Sequence, residues 1–171
     1  MGCSYCELLA GKKGVVYEED GVAIMIHRSP AMPGHMLVLP TEHFIIMEQA
    51  PDTLIRKLAT LANKVSTALL NVLGAAGTNI IVENGTGADQ QVPHLAFNVI
   101  PRVEGDGLNF QWQPKKLSDE QMGLIELQLK EQAKDVGVVP EKKEPVTIGA
   151  AKPEAALKKD SYLTRQLRRR P

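Results

Sequence analysis

The sequence predicts an α+β domain in which an antiparallel five-stranded sheet carries one long helix across one face. Short segments with strand periodicity stand before and after a single long amphipathic segment, which is the order expected for that architecture. Turn residues separate the segments and set their lengths. The five strands are predicted at residues 15–17, 22–26, 35–39, 78–82 and 92–100.

Two segments carry local signals for helices. The longer one spans residues 51–73, with Pro51 suited to the first helical position and Gly74 to the end. Its apolar residues recur at intervals of three and four. A second, C-terminal helix begins at Ser118, which forms a capping box with Gln121. Its expected buried stripe consists of Met122, Ile125, Leu129, Ala133 and Val136.

Composition limits the domain organisation and the class of protein. The 171 residues support one domain with a real core, predicted at residues 1–137, followed by a linker and basic tail at 138–171. Net charge is zero overall, but the last 31 residues carry an excess of Lys and Arg. No run of about eighteen apolar residues and no signal peptide is visible. We therefore expect a cytoplasmic protein that does not enter a membrane.

The most informative segment is residues 90–102, QQVPHLAFNVIPR. Leu95, Phe97 and Val99 alternate with His94, Ala96 and Asn98, and strand periodicity places the two sets on opposite faces. The first set is apolar and is predicted to face the core. The second set is predicted to form the wall of a site.

This alternation resembles the signature of the histidine-triad (HIT) superfamily, in which three histidines alternate before Ile-Pro-Arg. Two upstream blocks, residues 33–43 (PGHMLVLPTEH) and residues 84–90 (NGTGADQ), resemble the family's other motifs in the same order. The resemblance covers residues 1 to about 115. It implies a homodimer that forms one continuous sheet.

The resemblance also implies an activity at a nucleotide's α-phosphate. Family members hydrolyse or transfer from phosphoramidates, dinucleoside polyphosphates or related nucleotide conjugates, with purines the usual base, and release a nucleoside monophosphate. The middle histidine of the triad is the nucleophile. Here that position is Ala96, which has no lone pair, and the third position is Asn98, which donates hydrogen bonds but carries no charge. The chain is therefore expected to bind nucleotide and to turn it over very poorly.

Two explanations of Ala96 stay open. One is a substitution introduced to trap substrate in an active enzyme, and the other is a natural non-catalytic nucleotide-binding protein, such as a sensor or adaptor. The first is favoured, because a chain that had drifted from catalysis would be expected to lose its loop glycines and Gln90 as well.

Other residues acquire expected roles only through the resemblance. Gln90 and Gln91 correspond to contacts with phosphate oxygens, and Asn84 lies in the same glycine-containing loop. His27 stands at the position that holds the ribose, and Glu83 replaces an amide or similar polar residue beside the site. His35 supports the site from behind. The base is expected against the apolar walls Tyr5, Leu8 and Met25.

Cys3 and Cys6 are the only cysteines, in a Cys-x-x-Cys arrangement. A redox dithiol normally lies in a βαβ unit, and a disulfide is disfavoured in a reducing compartment. Half of a structural zinc site is favoured over two idle thiols. In family members with this pair, the positions of His43 and His94 complete the set of four ligands.

The basic tail has two interpretations. The cluster at residues 165–170 could contact RNA or polyphosphate through charge. A solvated terminus, or a strap across the dimer partner, is favoured because no aromatic residues are interleaved with the charges.

Overall fold

The computed structural model describes residues 2–133. The chain divides into two units, with the boundary between Gln111 and Trp112. The predicted linker and tail at residues 138–171, the basic cluster at 165–170 and Val136 lie outside the described residues. The predicted boundary at residue 137 therefore stays a prediction.

The first unit contains a five-stranded antiparallel sheet and two helices, in agreement with the predicted fold class. Its strands pair in the order β1-β2-β3-β5-β4. In chain order the elements are α1 (Ser4–Ala10), β1 (Val15–Glu19), β2 (Val22–Ile26), β3 (Met36–Pro40), α2 (Asp52–Leu73), β4 (Gly77–Val82) and β5 (Phe97–Arg102).

Helix α2 covers one face of the sheet. Leu58, Val65 and Leu69 are buried against residues of the central strands that include Phe97 and Val99, as the periodicity predicts. The helix ends at Gly74, whose φ of 63° is the left-handed cap that glycine adopts without strain. Pro51 precedes the first helical residue as the N-cap, one position earlier than predicted.

The opposite face of the sheet is covered only in part, and this leaves room for a site. Leu37 and Leu39 of β3 pack there with Ala96 and with Leu9 of α1. Strand β3 is buried on both faces, which explains its continuous apolar sequence. The sequence did not predict α1, a seven-residue helix with Leu9 as its one buried residue.

Strand β5 begins five residues later than predicted. The amide of His94 donates to the carbonyl of Val92 at 2.7 Å, which makes a tight turn before the strand. Pro93 has no N–H to continue a ladder of hydrogen bonds. The alternation of faces nevertheless extends back through the turn, so that His94 and Ala96 share a face with Asn98.

The second unit contributes α3 (Asp119–Gln132) to the described residues. The capping box between Ser118 and Gln121 is present, as predicted. The predicted buried stripe is wrong for the described part of the chain, because no residue of α3 is buried and Met122, Ile125 and Leu129 are exposed. No helix among residues 2–133 combines the length and apolarity that crossing a bilayer requires.

Candidate functional site: a cavity beside a Cys2His2 cluster

A cavity of about 750 Å³ opens on the sheet face opposite α2. Its floor comes from alternate residues of four neighbouring strands, including Met25, Leu37, Asn98 and Ile81, which the strand register places in one row. Ala96 lies on this floor beside Asn98, and His94 also lines the cavity. The three alternating side chains therefore face a cleft, as the strand periodicity predicts.

One chain of hydrogen bonds gives the amide of Asn98 a defined orientation. The backbone N–H of Ala31 donates to Nδ1 of His35 at 3.2 Å, so Nε2 of His35 carries the ring proton. His35 Nε2 then donates to Oδ1 of Asn98 at 3.0 Å. Both hydrogens of the Asn98 amide nitrogen stay available, because no residue in the described range accepts from them.

His27 and His35 form a stacked pair at one end of the cavity. Their ring centroids are 4.4 Å apart and the rings are nearly parallel, at 8°. The backbone N–H of Ser29 donates to Nδ1 of His27 at 3.0 Å, which leaves Nε2–H as the free donor. Burial lowers the pKa of both histidines, and the proximity of His27 lowers that of His35 further. Both rings are therefore neutral at neutral pH.

The two glutamines that were predicted to contact phosphate differ in how their side chains are bonded. Gln91 lines the cavity, and its amide nitrogen bonds the carbonyl of Asp89. Gln90 also borders the cavity, but its amide ties the loop together by accepting from Gly85 N at 2.8 Å and donating to Ile45 O at 2.7 Å.

Asn84 is outside the cavity lining. Its side chain accepts from the backbone N–H of Met47 and donates to the Glu48 carboxylate, so it fastens the loop to the segment before α2. The structure therefore gives Asn84 a scaffolding position rather than one on the floor of the site.

Glu83 lines the cavity next to the end of β4. Burial raises the pKa of its carboxyl group, and the negative charge of Asp89 raises it further. Among the other lining residues, Arg28 carries a permanent positive charge on its guanidinium group.

Several lining residues were missed by the sequence reasoning. Ile100 and Ile81 could have been found, since each lies two residues from a predicted position on its strand. Arg28 and Phe110 had no local signal. Phe110 reaches the cavity because the chain reverses after β5, where the guanidinium of Arg102 lies 5.3 Å from the centre of its ring.

Arg102, the last residue of β5, organises that reversal. Its guanidinium makes a bidentate contact with Asp106, at 2.6 and 2.8 Å, and also donates to Asn79 and to the carbonyl of Leu108. The Arg102 contact holds the pKa of Asp106 well below its usual range.

Beside the cavity, four side chains form a compact Cys2His2 cluster. Cys3 and Cys6 come from the start of the chain, while His43 and His94 follow β3 and precede β5. One potential ligand atom from each lies within 4.8 Å of all the others. His94 Nδ1 is 3.5 Å from both sulfurs, and His43 Nδ1 is 3.3 Å from Cys6 Sγ.

These distances suit a tetrahedral metal ion. Zinc bonds of about 2.3 Å to sulfur and 2.0–2.1 Å to nitrogen place sulfur and nitrogen about 3.5–3.6 Å apart in a tetrahedron. His94 is also correctly oriented, because its Nε2–H donates to the carbonyl of Pro40 at 2.9 Å and leaves Nδ1 free for a metal. Burial lowers the pKa of His94, which favours the neutral ring that binds metals. The cluster could hold one metal ion.

Comparison with known proteins agrees with this architecture. The model of the HIT domain matches residues 10–105. An uncharacterized HIT-like protein of Methanocaldococcus jannaschii is 36% identical over 107 residues, which is 61% of this chain and 82% of that protein. Adenylylsulfatase HINT3 of Arabidopsis thaliana is 28% identical over 62% of this chain and 55% of its own length.

A solved structure shares the fold. The crystal structure of a Zn-bound histidine triad family protein from Mycobacterium smegmatis aligns with a TM-score of 0.60 and 27% identity, over 77% of this chain and 96% of that one. Taken with the matched domain and the geometry of the sheet, these findings show that the chain belongs to the HIT domain family.

Proposed function

We propose that the cavity binds a purine nucleotide with its α-phosphate against Ala96 and Asn98. The observation that carries the proposal is the hydrogen bond from His35 to Asn98, which leaves the Asn98 amide nitrogen as a donor toward the cavity. A donor held in place stabilises charge on a phosphoryl oxygen without reorganising. Gln91 is a second donor at this end.

The remaining parts of a nucleotide have matching surroundings. His27 presents a free Nε2–H to a ribose hydroxyl. The base would lie against Tyr5, Leu8 and Met25, which line the apolar part of the cavity. The preference for purines rests on the family alone.

The proposed parent activity is hydrolysis or transfer at the α-phosphate of a nucleoside phosphoramidate, dinucleoside polyphosphate or related conjugate, with release of the monophosphate. The Arabidopsis relative is named an adenylylsulfatase, which supports the last substrate class. In this chain turnover is expected to be very slow, because a methyl group at position 96 cannot form the covalent intermediate. The second candidate is a natural nucleotide-binding module without catalysis, favoured by the two departures at Ala96 and Asn98.

Two measurements test these candidates. Calorimetry with AMP and GMP measures binding, and no binding at millimolar nucleotide would reject both. The Ala96→His variant is then assayed with adenosine 5′-phosphoramidate, diadenosine polyphosphates and adenylyl sulfate. Release of AMP well above the rate of the unmodified chain supports the enzyme, whereas an unchanged rate favours the binding module.

The metal in the Cys2His2 cluster is proposed to be structural zinc. Four protein ligands complete a tetrahedron and leave no position for substrate. Its contribution would be to tie α1, and with it Tyr5 and Leu8, to the segments that carry His43 and His94.

A homodimer with one continuous sheet is proposed as the assembled form. Strand β4 is an edge strand, and the exposed apolar residues Ile80, Val72 and Leu73 lie on it and on the end of α2. Light scattering of purified protein measures the oligomeric state, and a monomer at micromolar concentration would reject this proposal. Two free thiols suit a cytoplasmic location. Nucleic acid is not favoured as a partner.

A further inference from the structure

A carboxylate, that of Glu83, lines the same cavity as Ala96. Strands β4 and β5 pair with Ile81 opposite Asn98 and Val82 opposite Phe97. The paired register ends there; extended by one step, it would bring Glu83 opposite Ala96, and both residues line the same cavity. Side chains opposite each other have Cβ atoms about 4.5–5.5 Å apart, within reach of a glutamate through one water molecule.

The Glu83 carboxylate is free to accept a proton. No hydrogen bond or ion pair within residues 2–133 engages it, whereas the nearby Glu48 carboxylate is held by Asn84. Its ionisable neighbours are Asp89, in the loop after β4, and the phenol of Tyr5, from α1. Neither of these groups is positively charged, and the guanidinium of Arg28, which lines the same cavity, makes no ion pair with Glu83.

Ala96 provides the space that the reaction would need. Where the family has an imidazole ring, this chain has a methyl group, and a ring occupies more than the ~30 Å³ of a water molecule. A water molecule in that space would lie in the part of the cavity that Glu83, Ala96 and Asn98 line.

We propose that Glu83 is the general base that directs this water onto the α-phosphorus, so that residual hydrolysis in this chain is a single displacement. The proposal rests on the nucleotide-binding function proposed above. The carboxylate takes a proton from water, and the water oxygen forms a bond to phosphorus while the bond to the leaving group breaks. The leaving group takes the electron pair and then the proton from Glu83. One water is consumed, and the nucleoside monophosphate and the protonated leaving group are released.

Charge makes the proposal distinguishable from a structural role. A carboxylate beside a phosphate repels it, so Glu83 weakens the binding of AMP while it promotes hydrolysis. Replacing Glu83 with the neutral isostere Gln should therefore change the two quantities in opposite directions. A residue that only supports the cavity would weaken both.

The experiment compares Glu83→Gln with the unmodified chain, using adenosine 5′-phosphoramidate as the substrate. We expect kcat to fall about 100-fold, at the lower end of the range for general base catalysis, while AMP binds as tightly as before or more tightly. The matched control is Glu104→Gln, the same change at an exposed position outside the cavity, which should leave both values unchanged.

Stereochemistry at phosphorus gives an independent readout. With a chiral phosphorothioate substrate in ¹⁸O-water, a single displacement inverts the configuration and places one ¹⁸O in the product. The Ala96→His variant, with two displacements through a covalent intermediate, should retain the configuration.

Three results would overturn the inference: retention of configuration in the unmodified chain, a rate unaffected by Glu83→Gln, or no turnover at all while AMP still binds. In each of these the proposed nucleotide binding would survive. Failure to bind AMP or GMP would instead reject the proposed function, and the inference with it.

Discussion

Removing the metal from the Cys2His2 cluster should both destabilise the protein and weaken nucleotide binding. Helix α1 has only seven residues, too few to persist in isolation, and Leu9 is its one buried residue. Burying one leucine contributes only about 1.5–3 kcal/mol. The partly buried Tyr5 and Leu8 add to this packing, and the contacts of Cys3 and Cys6 with His43 and His94 are a further attachment of α1 to the rest of the domain.

The size of the effect follows from linkage between metal binding and folding. Free zinc at 1,000 times its Kd stabilises the folded state by about 4.1 kcal/mol. For a compact unit of the size of Met1–Gln111, this corresponds to a change in Tm of roughly 12–25 °C. Tyr5 and Leu8 line the cavity, so release of α1 should also weaken AMP binding by about tenfold, equivalent to about 1.4 kcal/mol.

Three measurements check this prediction on protein purified without chelator: elemental analysis for zinc, calorimetric Tm with and without chelator, and titration with AMP. The control is the double variant Cys3→Ser/Cys6→Ser, which should already have the lower Tm and should not respond to chelator. One result would refute the reasoning: protein purified in the presence of zinc contains no metal, and adding chelator changes neither its Tm nor its affinity for AMP.

Three further predictions concern the core, the stacked histidines and the Arg102 contact. Leu58→Ala should lower the free energy of unfolding, measured by urea titration, by about 3–5 kcal/mol, because Leu58 is fully buried. The control is Lys64→Ala on the exposed side of α2, which should change this free energy little. Burial lowers the pKa of His35 in the folded state, so the unfolded chain binds protons more readily. The contribution of His35 to the free energy of unfolding should therefore be fully present above about pH 6.5, the pKa of an unfolded histidine, and should be lost as the pH falls below it. His35→Gln should reduce that slope, and an unchanged slope would contradict the assignment. Asp106→Asn should lower Tm at pH 7 by a few degrees, since Arg102 loses a charged partner, and the difference from the unmodified protein should shrink in acid as Asp106 becomes protonated.

Local patterns predicted most of the secondary structure because the signals and the structures they specify lie in the same segment. The period of α2 and its glycine cap occur within the helix or next to it. The two failures have local causes as well. Helix α1 is too short to show a periodic pattern, and the chain before β5 turns at Pro93 although its residues alternate like a strand.

The candidate site was predictable only in part. The alternation of His94, Ala96 and Asn98 placed one wall correctly, because strand periodicity determines which side chains share a face. The positions of Gln90 and Asn84 could not be read in the same way. Their amides bond the backbone of residues about 40 positions away, and no local pattern encodes those partners.

By itself, the sequence determined most of the strands, the long helix and the capping box of α3, since each depends on residue identity and near neighbours. Only the tertiary structure brought Cys3 Sγ within 3.5 Å of His94 Nδ1, 91 positions later, and only the pairing of β4 with β5 brought Glu83 and Ala96 to the same cavity. The physical reason is that such contacts depend on how strands pair and pack, a property of the whole domain that no single segment contains.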